Sequence, residues 1–168
     1  MRRTLLLLAT IALGVLMVSS VAQAASAKAR CLQEAQSLTG LNLTGSNVVV
    51  GNNKRADDFS SKATTAGTDV FCGFGGDDWI DTLDAGDIFI GGAGNDTIYN
   101  TNNGTFYGGA GDDTVGGGGS DAVNDTNNGT FYGGDGRDVV YTNNGTFYGG
   151  GGGDFIVYVA WSTNPIIL

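Results

Sequence analysis

Residues 91–99 read GGAGNDTIY, and residues 108–115 (GGAGDDTV) repeat the same motif. Two further copies are found at residues 133–141 (GGDGRDVVY) and 149–157 (GGGGGDFIV). The shared pattern is G-G-x-G-x-D-x-U-x, where U is a large apolar residue. Glycine permits tight turns with positive φ, Asp supplies a hard anionic oxygen of the kind that Ca²⁺ prefers, and the apolar residue suits the inward face of a short strand. The repeat therefore predicts stacked acidic turns joined by strands.

The regular spacing of the copies supports stacking of the motifs. A weaker copy, GFGGDDWID, begins at Gly73 and has Phe74 where the second glycine is expected. The copies that start at Gly73, Gly91 and Gly108 are 18 and 17 residues apart, which is close to two nonapeptides. We therefore expect one strong motif to stack on the next in each coil.

The segments between the strong copies have the pattern of half-turns. Residues 82–90 keep an acid at Asp87, and residues 64–72 resemble a degenerate repeat with Asp69 at the same position. A third kind of half-turn has Gly104 at the position of the Asp, so it offers no side-chain ligand. It belongs to a duplicated stretch, TNNGTFYGG, which is found at residues 101–109, 126–134 and 142–150.

The nonapeptide resembles the calcium-binding repeat of the RTX (repeats-in-toxin) family over about residues 64–157. The resemblance implies an all-β fold, a right-handed parallel β-roll (a β-solenoid) of about five coils. It also implies Ca²⁺ as the cofactor, held by one Asp from each of two stacked motifs and by turn carbonyls. Asp69 and Asp87 are weaker candidate ligands. The stronger candidates are Asp78, Asp96, Asp113, Asp121, Asp138 and Asp154, with Gly73, Gly76, Gly91, Gly94, Gly108, Gly111, Gly116, Gly119, Gly133, Gly136, Gly149 and Gly152.

The interval of 25 residues from Gly108 to Gly133 leaves two arrangements open. Residues 116–124 (GGGGSDAVN) match the motif and carry Val123 where a core residue is needed. We expect this segment to form an extra half-turn, which moves the later acids to the opposite edge of the roll. Asp121, Asp138 and Asp154 would then lie opposite Asp78, Asp96 and Asp113. In the alternative, residues 116–124 loop out and all the strong motifs share one edge.

The positions of the apolar residues predict the strands and the core. We expect short strands at residues 79–81, 88–90, 97–99, 105–107, 114–115, 122–124, 130–132, 139–141, 146–148 and 155–157. One apolar side chain of each strand should point inward, namely Ile80, Phe89, Ile98, Phe106, Val115, Val123, Phe131, Val140, Phe147 and Ile156.

The first 24 residues have the pattern of a secretion signal. Arg2 and Arg3 precede the apolar run Leu5–Val18, and Ala22-Gln23-Ala24 is a suitable cleavage site. The alternative is an uncleaved membrane anchor, but the run is shorter than the ~18–20 residues that usually span a bilayer. We expect a secreted protein, extracellular or held in the periplasm or at the cell surface, with no membrane span after signal removal. RTX proteins usually lack such a signal and leave through a dedicated exporter.

Residues 25–63 are expected to form an N-terminal cap with degenerate first coils, before a calcium-binding roll at 64–168 that ends in a C-terminal capping strand. Residues 28–39 predict a short helix that ends at Gly40, with Leu32, Ala35 and Leu38 on one face. Such a helix could cover the open top of a solenoid. The only two cysteines, Cys31 and Cys72, favour one disulfide in an exported chain.

The charge and composition limit the function. The chain has 17 acidic and 8 basic residues, a net charge of −9, which argues against nucleic-acid partners. Acids packed in glycine-rich turns repel one another, so folding should depend on bound cations. The chain has no His, which removes Ser-His-Asp triads and H-E-x-x-H zinc sites and favours a protein that is not an enzyme.

Two functions remain open. The first is a secreted calcium-binding protein with a structural or interaction role. The second is a surface-binding module, adhesive or specific for carbohydrate or ice, whose protein or glycan partner the sequence does not identify. It would use outward Thr and Tyr side chains of the duplicated strands, which are Thr105, Tyr107, Thr130, Tyr132, Thr146 and Tyr148.

Overall fold

The computed structural model describes residues 26–62, 65–116, 126–158 and 166–167. These residues form one helix, α1 (residues 26–39), and thirteen strands. The strands are β1 (Asn47–Val50), β2 (Asp69–Cys72), β3 (Trp79–Ile80), β4 (Ile88–Ala93), β5 (Thr97–Ile98), β6 (Thr105–Ala110), β7 (Thr114–Val115), β8 (Thr126–Asn127), β9 (Thr130–Gly136), β10 (Val139–Asn143), β11 (Thr146–Gly152), β12 (Phe155–Tyr158) and β13 (Ile166–Ile167).

The strands form two parallel sheets, and from β2 to β7 successive strands alternate between them. Sheet A has the order β1-β2-β4-β6-β9-β11-β13, and sheet B has the order β12-β10-β7-β5-β3, with β8 beside β10. Each long pairing in sheet A joins a strand to the equivalent strand of the next repeat, for example Thr105 to Thr130 and Thr130 to Thr146. The fold is therefore all-β, parallel and solenoid-like, with one short helix.

The core lies between the two sheets and takes one inward apolar side chain from most of the described strands, with Phe59 and Leu83 added from the turns. The predicted core is confirmed for the described residues: nine of the ten predicted side chains are buried or, at Ile156, partly buried against the same cluster. The tenth, Val123, and its strand at 122–124 lie outside the described residues. The phenylalanines of sheet A stack in register, with ring centroids 4.9 Å (Phe89–Phe106), 4.7 Å (Phe106–Phe131) and 5.0 Å (Phe131–Phe147) apart.

The expected exchange of edges after residue 116 is wrong. Strand β9 pairs with β6, and β10 pairs with β7, with Val140 opposite Val115. The turns before and after residues 117–125 therefore stack directly on each other, so Asp138 and Asp154 share one edge with Asp113. The sheet register decides this outcome because it aligns the duplicated TNNGTFYGG stretches residue by residue.

Helix α1 lies on the outer face of sheet A, not over the open top that we expected it to cover. Its Cys31 and Ala35 are buried in a second apolar cluster with outward residues of β2 and β4, such as Val70 and Ile88. Leu38, expected on the buried face, is 47% exposed. The outer face of β1, β2 and β4 carries apolar residues, and the helix covers that part of sheet A.

The predicted disulfide is confirmed. Cys31 and Cys72 are bonded, with Cα atoms 5.8 Å apart, and both side chains are fully buried. The bond closes a separation of 41 residues and joins α1 to β2. By loop-closure entropy such a crosslink stabilises the fold by roughly 3–4 kcal/mol.

Candidate metal site

Five of the six acids expected from the strong motifs lie in one row along a single edge of the fold. In each, Oδ1 accepts a hydrogen bond from the backbone N–H of the acid one coil earlier. The bonds run from Asp78 to Asp96 (2.8 Å), from Asp96 to Asp113 (2.8 Å), from Asp113 to Asp138 (2.9 Å) and from Asp138 to Asp154 (3.0 Å). These bonds fix each carboxylate against the neighbouring turn, so the row is a continuous stack. The sixth acid, Asp121, lies outside the described residues.

Sequence reasoning missed the first member of the row, Asp57. Its backbone N–H donates to Oδ1 of Asp78 at 2.8 Å, as the later acids do to their neighbours. Its carbonyl oxygen accepts the N–H of Trp79, and the N–H of Gly51 donates to the carbonyl of Cys72, both as in later coils. The sequence signal was Gly51 followed by Asp57 and Phe59, a copy of the motif with one extra residue and no internal glycine.

Each glycine of the motif has a separate structural reason. The first glycine lies under the acid of its own motif, and a Cβ on Gly91 would collide with Oδ2 of Asp96. The glycines at positions 2 and 4 of the motif have positive φ, for example 112° at Gly92 and 130° at Gly94. At position 4 the positive φ recurs in the other described copies, at Gly76, Gly111, Gly136 and Gly152. Gly116 also has positive φ, and Gly119 lies outside the described residues.

The second oxygen of each buried acid has no hydrogen-bond partner. Oδ2 is buried and unpartnered in Asp78, Asp96, Asp113 and Asp138. Beside it lies another acceptor in at least three of the turns: the point where a Cβ of Gly108 would stand is next to both Oδ2 of Asp113 and the carbonyl oxygen of Gly133. A Cβ on Gly73 would likewise meet Oδ2 of Asp78 and the carbonyl oxygen of Gly91. A Cβ on Gly133 would meet Oδ2 of Asp138 and the carbonyl oxygen of Gly149. A buried carboxylate oxygen that has no donor and lies near a carbonyl oxygen favours a proton or a cation at that place.

Burial raises the pKa of these carboxyls in the metal-free chain. Desolvation is the largest cause, and neighbouring acids add to it, while the backbone hydrogen bond from the preceding coil opposes it. The pKa rises to about 8 at Asp113, about 7 at Asp96, and about 6 at Asp78 and at Asp138. The largest shift falls in the middle of the row, where carboxylates lie on both sides.

These shifts predict how pH changes the stability of the metal-free protein. A folded state with raised carboxyl pKa values holds protons that the unfolded chain releases above about pH 4. The contribution is fully present below that pH and is lost as the pH rises through about 6 to 8. We expect the Tm in EDTA to fall between about pH 5 and about pH 8.5, and the fall to shrink in calcium. A Tm in EDTA that rises over this interval would contradict the buried row.

The first glycine of a motif should not tolerate a side chain. A Cβ on Gly108 would collide with Oδ2 of Asp113 and with the carbonyl oxygen of Gly133, so Gly108→Ala should cost about 1–3 kcal/mol of unfolding free energy. Gly153→Ala is the matched control, because nothing lies within 4 Å of its Cβ position. Urea unfolding measures both variants, and equal stabilities would show that the carboxylate does not lie over Gly108.

The opposite edge has only a short row of buried acids, Asp69 and Asp87, among the described residues. Asp69 is buried, but both of its oxygens accept hydrogen bonds from Thr65, the backbone N–H at 2.6 Å and the hydroxyl at 2.9 Å. Asp87 accepts the N–H of Asp69 at 2.9 Å, and burial raises its pKa. In the next coil Gly104 follows, as expected, and no acid continues the row. These two acids therefore close turns at the start of the fold.

Beyond that point the opposite edge is stabilised by asparagines. Asn102 donates through Nδ2 to Oδ1 of Asn127 at 2.7 Å, and Asn127 donates in the same way to Asn143 at 2.7 Å. All three side chains are fully buried. One edge thus has neutral amides that satisfy one another, and the other has acids that do not.

The donor set of the acidic edge fits a hard cation. Among the described residues, no group of three or more His, Cys, Asp or Glu side chains could hold a metal by itself. A cation between two stacked turns would therefore be held by two carboxylates and by backbone carbonyls, all oxygen donors of the type that Ca²⁺ takes. The unpartnered Oδ2 atoms and the nearby carbonyl oxygens are available for this role.

Comparison of the chain with protein-family models, with curated proteins and with solved structures found no match. Within residues 26–62, 65–116, 126–158 and 166–167, no helix is long and apolar enough to cross a membrane.

Proposed function

We propose that this chain is a secreted calcium-binding protein of the RTX type, with a structural or interaction role and no catalytic activity. Its two parallel sheets would form a right-handed β-roll of about five coils. The observation that carries the proposal is the row of four buried carboxylate oxygens without a hydrogen-bond partner, in Asp78, Asp96, Asp113 and Asp138. Signal-like residues 1–24 support export to a compartment where calcium is abundant.

Calcium would act by neutralising the row. Each gap between stacked turns would take one ion, held by the acids on its two sides and by the carbonyls of the glycine turns. The corrected register makes the pairs Asp78–Asp96, Asp96–Asp113, Asp113–Asp138 and Asp138–Asp154. Without the ion, four buried carboxylates must be protonated or must repel one another, so binding and folding should be coupled. Extracellular modules of this kind bind calcium in the ~10⁻⁴ to 10⁻³ M range.

Calcium titration tests the proposal directly. Far-UV circular dichroism should show strand signal that develops with added calcium, and isothermal calorimetry should give several ions per chain. Magnesium at the same concentration is the control, because its small octahedral shell suits such turns poorly. A chain that is fully folded in EDTA and takes up no calcium at millimolar concentration would overturn the proposal.

The second candidate, a surface-binding module, is favoured by the outward face of sheet A. Thr105, Thr130 and Thr146 lie opposite one another in register. Beside them the rings of Tyr107, Tyr132 and Tyr148 stack at 4.8 and 4.7 Å, within 4° of parallel. Stacked rings cover one another's faces, so a partner would meet ring edges and hydroxyls. Glycan-array and ice-recrystallisation assays in calcium, with Tyr132→Ala as the comparison, separate this candidate from the first.

A further inference from the structure

The first turn of the acidic row differs from all later ones. Oδ2 of Asp57 accepts a hydrogen bond from the N–H of Asn52 within its own turn. In the four turns that follow, Oδ2 of Asp78, Asp96, Asp113 and Asp138 is buried and has no donor. The unpartnered carboxylate oxygen that marks those turns is therefore missing from this one.

The same turn also carries positive charge. Lys54 and Arg55 are exposed within it, and the turn stacks directly on the next, since a Cβ on Gly76 would collide with the carbonyl of Arg55. The first turn thus carries two cationic side chains, whereas the 73–78 and 91–96 turns carry none. The gap between Asp57 and Asp78 has less need of a bound ion than any later gap.

The coils nearest this turn have further supports that involve no metal. The disulfide joins α1 to β2, and α1 packs over outward residues of β2 and β4. The guanidinium of Arg30 lies 5.0 Å from the ring centroid of Phe74, which has φ of 70°, the one non-glycine residue with positive φ among those described. A bulky residue in that conformation is strained, and the contact with Arg30 links this turn to α1.

The later coils have fewer of these supports: in β6 the hydroxyl of Tyr107 donates to the carbonyl oxygen of Leu38 at 3.3 Å. In β6, β9 and β11 the outer face of sheet A carries Thr and Tyr in place of the apolar residues under α1. Their turns contain the Oδ2 atoms of Asp96, Asp113 and Asp138, which have no hydrogen-bond partner. The first paired acceptors, Oδ2 of Asp78 and the carbonyl of Gly91, lie between the 73–78 turn and the 91–96 turn. This gap separates the two kinds of coil.

We propose that the N-terminal part of the fold (α1, β1 to β4 and the 51–57 turn) is a calcium-independent platform on which the later coils order when calcium binds. The inference rests on the proposed function and adds a direction to it. Ordering starts at the gap between Asp78 and Asp96 and proceeds toward the C-terminus. The platform supplies the edge of β4, to which β6 and then β9 can add.

Hydrogen exchange on the full-length chain, read peptide by peptide in EDTA and in millimolar calcium, tests the inference. We expect α1 and β2 to exchange slowly in both buffers. Strands β6, β9 and β11 should exchange at least about tenfold more slowly in calcium than in EDTA. If α1 and β2 lose protection in EDTA together with the later strands, the fold is one cooperative unit and the platform does not exist.

Calorimetry on the same samples separates this failure from failure of calcium binding. Calcium uptake with equal protection of β6 to β11 in both buffers would overturn the platform alone, whereas no uptake would overturn the proposed function as well. Two variants sharpen the test. Asp57→Asn should leave the number of bound ions unchanged, and Asp96→Asn should lower it, because only Asp96 faces gaps that need an ion. A loss of ions in Asp57→Asn would place a metal in the first gap and contradict the inference.

Discussion

Asp113→Asn should stabilise the protein in EDTA and destabilise it in calcium. Without metal at about pH 8, the buried carboxyl of Asp113 destabilises the fold, because burial and the carboxylates of Asp96 and Asp138 raise its pKa to about 8. The amide keeps the shape and the Oδ1 acceptor but has no charge to bury, so the Tm in EDTA should rise by a few degrees. In calcium the same change removes a charged ligand from two gaps. The calcium-dependent gain in stability should fall by about 1–3 kcal/mol.

The adjacent acid provides the matched control. Asp112 also accepts a backbone N–H from the next coil, that of Arg137 at 2.9 Å, but its side chain is exposed. Asp112→Asn should therefore change the Tm little in either buffer. Asp154→Asn, at the end of the row, should lose fewer ions than Asp113→Asn, because it faces one gap. Equal ion loss in Asp112→Asn and Asp113→Asn, measured by calorimetry, would refute the assignment of ligands.

Asn127→Ala should be among the most destabilising single changes on the amide edge. Asn127 accepts from Asn102 and donates to Asn143, and all three are fully buried. The change leaves an unpaired oxygen on Asn143 and weakens the bonding of Asn102, at a cost of about 2–4 kcal/mol. The loss should be present with and without calcium, because no acid is involved.

The neighbouring residue again tests the reasoning. Asn128 lies in the exposed row of the same turn, where it donates to Asn103 at 3.1 Å. Water can replace that bond, so Asn128→Ala should cost well under 1 kcal/mol. Urea unfolding in EDTA and in calcium measures both variants. Equal losses would mean that burial does not decide the strength of the amide ladder.

The core of the fold could be predicted because each inward residue stands two places after the Asp of its motif or after the Gly that replaces it. The exchange of edges was predicted wrongly because residues 116–124 match the motif locally, whereas register depends on the whole sheet. The duplicated stretch was the better guide. It places Phe106 opposite Phe131 and Asn102 opposite Asn127, and stacks of identical rings and amides form only between equivalent positions.

Two other features were harder to predict. Asp57 was missed because its turn has no internal glycine and one extra residue, and only stacking on Asp78 shows its equivalence. The position of α1 was missed because an amphipathic helix does not reveal which surface it covers. The signal lay in the strands: Val70 and Ile88 are apolar where later strands have Thr on the outer face.

The register of β6, β9 and β11 has a consequence for how such a chain can change its length. Thr105, Thr130 and Thr146 are opposite one another, and each is followed by the same Phe and Tyr. If residues 130–145 were deleted, Thr146 would meet the same partners on β6 that Thr130 meets now. Recombination between the duplicated stretches could therefore add or remove a whole coil without creating a mismatched junction. Selection could then adjust the number of stacked acidic turns in whole steps, by copying a segment and not by redesigning a turn.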